Sequence, residues 1–146
     1  MSSNESKQAL PDNFETLKKS INRSSNWRER LDAVEELGEW KTRETIELLK
    51  HSLKGDPVTT IREAAYRKLQ ALGEKVSQPE PIQGDLIKDT KKVLVRIKKS
   101  LPADHSYHDF KEKVKKMRID LYDTYEGEKG VEFDKWLENL WVTLRT

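Results

Sequence analysis

Apolar residues along this chain recur at intervals of three and four, separated by long charged stretches. This is the pattern of helices that each bury one face. Residues 13–22 carry Phe14, Leu17 and Ile21 on one stripe, and the next segment carries Trp27, Leu31, Val34 and Leu37. About 42–53 the stripe is Ile46, Leu49 and Leu53, and about 57–73 it is Ile61, Ala65, Leu69 and Leu72. Three further helices are predicted at 85–100 (Leu86, Val93, Leu94, Ile97), 106–125 (Phe110, Val114, Met117, Leu121) and 131–144 (Phe133, Leu137, Leu140, Trp141, Leu144). The longest two-residue alternation, "VLVRI", fits the helical stripe around it better than a strand. The expectation is an all-α chain of about seven helices.

Turn residues punctuate this pattern. Ser25 or Asn26 is placed to cap the second helix, Gly38 interrupts it near its end, and Gly55-Asp56-Pro57 breaks the third. Pro57 suits the first turn of the fourth helix and Gly73 its stop. Gly127 and Gly130 bracket the last turn. The stretch "VSQPEPIQGD" ends the first helical block. The expected organisation is a flexible tail over 1–12, helices over 13–75, a linker over 76–84 and a helical region over 85–146.

A shift of 32 residues lays "FETLKKSINRSSNWRERLDAVEEL" over "IELLKHSLKGDPVTTIREAAYRKL" without insertion. Phe14 meets Ile46, Leu17 meets Leu49, Arg30 meets Arg62, Ala33 meets Ala65, and Leu37 meets Leu69. Each unit reads as a pair of helices, and small residues at Ala33 and Ala65 let helices approach closely. "DPVTTIREAAYRKLQALG" resembles the signature of HEAT-like repeats, and "NWRERLDAVEELG" is a weaker copy of it. The resemblance covers about residues 13–75. It implies a short α-α solenoid in which an arginine at the position of Arg30 and Arg62 ties adjacent repeats together, often through a loop aspartate. Asp56 matches that aspartate, but its counterpart in the first repeat is Ser24. It also implies a non-enzymatic protein-binding or scaffold module, a reading carried by the resemblance alone. About three repeats are usually needed for stability. The C-terminal three-helix region is therefore expected to cap the open end of the solenoid, or else to be joined to it as a domain of its own.

The chain is highly charged: 37% of its residues are Asp, Glu, Lys or Arg, against 34% hydrophobic, and the formal net charge is +2. Without cysteine it can hold neither a disulfide nor a thiolate-bound metal. No apolar run is long enough to span a membrane, and the N-terminus lacks the pattern of a signal peptide, so a cytoplasmic location is expected.

Candidate chemistry is sparse. His105 and His108 stand three apart, as two metal ligands on one helix face could, but helix capping by Asp104 or Ser106 with Asp109 in the first turn explains the segment better. His51 stands alone late in a helix. There is no phosphate loop and no nucleophile motif, and Glu35-Glu36 point to different sides of a helix. No enzyme, cofactor or metal is expected. Trp27, Trp136 and Trp141 fall on apolar stripes, whereas Trp40 lies beside Lys41 and Arg43 as a candidate contact residue. The most informative feature is basic. From Lys88 to Arg118 there are eleven Lys or Arg against four Asp or Glu, whereas 119–146 holds three against seven. Lys88, Lys91, Lys92, Arg96 and Lys99 occupy the arc opposite the apolar stripe, with Val95 among them. This arc is the candidate partner surface, fitted to a protein with an acidic surface. Nucleic acid binding over 88–118 is the alternative, disfavoured because the arc has no interleaved aromatics or base-reading groups. Oligomeric state is not legible here.

Overall fold

The computed structural model describes residues 8–145. The chain divides into two compact units, Met1–Pro81 and Ile82–Thr146. No extended strand occurs among the described residues. Of the expected flexible tail at 1–12, residues 1–7 lie outside the described residues. Pro11 is already buried, and its carbonyl accepts the Phe14 N–H at 3.0 Å.

The first unit is built from α1 (Phe14–Ile21), α2 (Trp27–Leu37), α3 (Arg43–Gly55) and α4 (Thr59–Ala71). Local chemistry sets their ends. The Asn26 side chain accepts the Glu29 N–H at 3.0 Å, so Asn26 caps α2. Thr42 and Thr45 form a reciprocal capping box at the start of α3. Pro57 lies ahead of α4 rather than inside its first turn, because Val58 is the cap residue. Gly73 has φ +87, and the Glu74 and Gly73 N–H groups return to the Leu69 and Gln70 carbonyls. That is a Schellman stop, which needs a residue without a Cβ penalty at positive φ.

The core of this unit gathers Leu17, Ile21, Val34, Leu37, Leu49, Ile61, Leu69 and Leu72, with Ala33, Ala64 and Ala65 wholly buried among them. α4 packs against both α2 and α3, which is why its middle carries alanine. Gly38 makes a closer approach still. A Cβ on it would lie 2.3–2.7 Å from the Cδ, Cγ and Cβ of Lys68, so the α2 end sits directly on the lysine stem.

The second unit holds α5 (Thr90–Lys99), α6 (Tyr107–Met117), α7 (Ile119–Lys129), a 3₁₀ turn over Gly130–Glu132 and α8 (Phe133–Thr143). Two differences from the sequence reading follow. The helix expected over 85–100 starts only at Thr90, because Asp89 is left-handed with φ 58 and the Thr90 hydroxyl bonds the Ile87 carbonyl. The single helix expected over 106–125 is two, divided at Arg118 with φ −140 and ψ 68, so the region has four helices where three were expected. Met117, placed by period on the buried stripe, is exposed because α6 ends there. α7 is buried through Leu121, Tyr122, Asp123, Thr124 and Tyr125 without a break, and it runs through Gly127 to Lys129. Around it pack Leu94, Ile97, Phe110, Val114, Phe133 and Leu137. The Tyr125 ring stacks on Trp136 at 4.5 Å, and its hydroxyl accepts the Leu86 N–H at 3.1 Å and meets the Thr90 hydroxyl at 3.0 Å.

Candidate functional site

α5 positions the basic arc. Its stripe of Leu94 and Ile97 is buried in the second core, and Lys91, Lys92, Arg96 and Lys99 therefore point outward. They line a shallow cavity of about 590 Å³ together with Val95, Asp85 and Asp89. Among the described residues none of these four cations has an ion-pair partner. Val95 is half-buried: it rests against the core and also floors the cavity. Lys88 is exposed but belongs to the turn before α5 and does not line the cavity. Asp85 is a member that helical periodicity missed, because it reaches the cavity from a loop.

Two carboxylates of the acidic segment are engaged away from this arc. Asp120 pairs with Arg118 at 3.0 Å, and Asp134 pairs with Lys111. The Lys111 ammonium holds the Asp134 carboxyl below the usual carboxylate range, and Arg118 does the same for Asp120. Burial, followed by the Asp134 hydrogen bond, raises the Tyr107 hydroxyl far above its ordinary value. Lys98, the remaining α5 cation, turns inward instead. Its ammonium donates to the Trp141 and Leu144 carbonyls at 2.6 and 2.9 Å and caps the end of α8.

Trp40 belongs to the first unit. It is half-buried in the α2–α3 connection, and its carbonyl accepts the Thr45 hydroxyl at 2.6 Å. Trp27, Trp136 and Trp141 pack against the two cores. His105 uses both ring nitrogens: Nε2 accepts the Trp141 indole N–H at 2.9 Å, and Nδ1 lies 2.6 Å from the Pro102 carbonyl. Of the two cap candidates it is Ser106, not Asp104, that caps α6, in a reciprocal capping box with Asp109. Among the described residues no group of three His, Asp or Glu could hold a metal ion, and no helix is long and apolar enough to cross a membrane.

The arginine–aspartate tie between repeats is present. Arg30 Nε donates to Asp56 Oδ2 at 2.9 Å, Nη2 approaches Oδ1 at 3.4 Å, and Nη1 donates to the Arg23 carbonyl at 2.7 Å. Asp56 Oδ1 also accepts the Val58 N–H at 2.9 Å. Ser24 therefore need not be acidic, because the arginine of one repeat takes the loop aspartate of the next. Arg62 reaches Asp56 only through its backbone carbonyl, at 2.6 Å, and takes the Thr59 hydroxyl at 3.0 Å.

Residues 14–84 match the family model described as HEAT repeats. No curated protein matches the chain, and no solved structure does.

Proposed function

From the premise that this is a HEAT-like repeat protein over residues 14–84, we propose that it is a non-enzymatic scaffold module of the cytoplasm whose α5 arc receives an acidic segment of a partner protein. HEAT repeats generally mediate protein–protein interaction, and the family is typically non-enzymatic. The observation that supports the α5 assignment is that Lys91, Lys92, Arg96 and Lys99 have no ion-pair partner among the described residues and surround a cavity lined by Val95. Cations kept solely for solubility need no concavity and no apolar floor, whereas an acidic peptide uses both. Asp85 and Asp89 also line the cavity, which works against a continuous phosphate backbone and favours a partner whose acidic groups are spaced. Trp40 is a further contact residue in this proposal, on the first unit.

The test is titration of the isotope-labelled full chain with a glutamate-rich peptide and, separately, with duplex DNA. Saturable shifts of the α5 amides by the peptide, abolished in Lys88→Glu/Lys92→Glu/Lys99→Glu, support the assignment. Tighter binding of DNA, with a log–log salt slope near −0.9 per neutralised phosphate, would transfer it to nucleic acid. No response to either probe at low salt would leave the arc a solvated face.

A further inference from the structure

Arg62 repeats the setting of Arg30 without its partner. Both arginines are buried, at 2% and 4% exposed. Both direct Nη1 to a carbonyl of the preceding connection, Arg23 for Arg30 and Asp56 for Arg62. Arg30 Nε is taken by the Asp56 carboxylate, whereas Arg62 Nε is buried with no hydrogen-bond partner among the described residues. A buried donor left unpaired is costly and rare in a folded chain, so the group implies an acceptor. Continued by 32 residues, the register of Asp56 arrives at Lys88, and the chain's own repeat supplies no carboxylate there.

The surroundings fit an incoming turn. The α4 face of Thr59, Arg62, Glu63, Tyr66 and Arg67 corresponds, in the repeat register, to Trp27, Arg30, Leu31, Val34 and Glu35 of α2. The α2 face is the one that the following repeat covers: Val34 is fully buried, and Glu35 is bridged by Lys68 of α4. The α4 face instead opens on a cavity of about 530 Å³. Its other side is formed by Gln78, Pro79 and Pro81, which make no hydrogen bond among the described residues, so this border can yield as a ligand enters. Arg62 and Arg67 outnumber Glu63 at the cavity, which selects an anion.

We propose that this cavity is the receiving site for an Asp-Pro turn of a partner protein, whose carboxylate takes Arg62 Nε as Asp56 takes Arg30 Nε. The partner would thereby dock as the next repeat of the array. This site is separate from the α5 arc and does not depend on it.

The probe is the blocked peptide acetyl-Gly-Asp-Pro-Val-Thr-amide, which copies the turn that satisfies Arg30. The nitrogen-15-labelled full chain is titrated while the arginine Nε–H resonances are followed. A saturable shift of the Arg62 Nε–H with slowed solvent exchange is expected, with the Arg30 Nε–H unmoved. The peptide with Asn in place of Asp should bind at least about tenfold more weakly, since a charge-assisted pair becomes a neutral one. Arg67→Ala, at an exposed position, should weaken binding severalfold. The proposal is overturned if Arg62 Nε–H does not move at about 10 mM peptide, a concentration that reveals even millimolar affinities. Equal binding of the Asn peptide overturns it too, as do shifts confined to α5, which would place the peptide on the basic arc. The wild-type measurement needs no substitution of Arg62, so it does not depend on how a variant folds.

Discussion

Asp56→Ala tests the tie that holds the two repeats in register. Removing the carboxylate strips Arg30 of its contacts at 2.9 and 3.4 Å and leaves only the Arg23 carbonyl on Nη1. Arg30 is 4% exposed, so bulk solvent does not reach the lost acceptor's place freely. Breaking a buried ion pair by deleting one partner costs about 3–5 kcal/mol. The Val58 N–H also loses its acceptor at the entrance to α4, but this loss shares the same carboxylate and is not added in full. The expected loss is about 3–5 kcal/mol, a large part of the 5–15 kcal/mol typical of a whole domain. Asp56→Asn keeps an oxygen for Val58 and should cost about half as much. Arg30→Met/Asp56→Ala removes both charges and should recover much of the loss, because an apolar replacement of a buried pair is often near neutral. The assay is urea unfolding of the full chain, with amide exchange at Leu49 and Leu69 reporting on the first unit. A loss under about 1 kcal/mol for Asp56→Ala, or additive single and double variants, would refute the idea that this pair fixes the stacking.

Other expectations follow from the same geometry. Gly38→Ala should destabilise by about 1–3 kcal/mol, seen as a lower urea midpoint, because the new Cβ lands 2.3–2.7 Å from the Lys68 stem. The displaced lysine also forfeits its pairs with Glu35 and Glu39. Ala65→Phe should cost a similar amount, about 1–3 kcal/mol, by overpacking a position with no exposed surface; an unchanged melting temperature would contradict the close contact. The depressed carboxyls of Asp134 and Asp120 add stability above the ordinary aspartate value near about 4, lost as pH falls through their lower folded values. Lys111→Ala should therefore bring the Asp134 titration, followed by carboxyl NMR, back toward the ordinary value.

The repeat was legible in the chain because it is written in local chemistry. The Asn26 cap and the Gly73 stop act within a turn or two of themselves, and the 32-residue register, with small residues recurring at Ala33 and Ala65, shows by comparing the chain with itself. The outward arc of α5 was legible for the same reason: periodicity sorts one face from the other without reference to neighbours. What tertiary structure decided lies where a residue's partner is distant. Nothing near Arg30 announces that Asp56, 26 positions on, will take its guanidinium. Nothing near Arg62 announces that its Nε will be buried without an acceptor among the described residues. The division of 106–125 at Arg118 and the burial of α7 over 121–125 likewise defeat periodicity. A helix enclosed by its neighbours has no single apolar face to display, and its Asp123 and Thr124 read as surface until the other helices are in place.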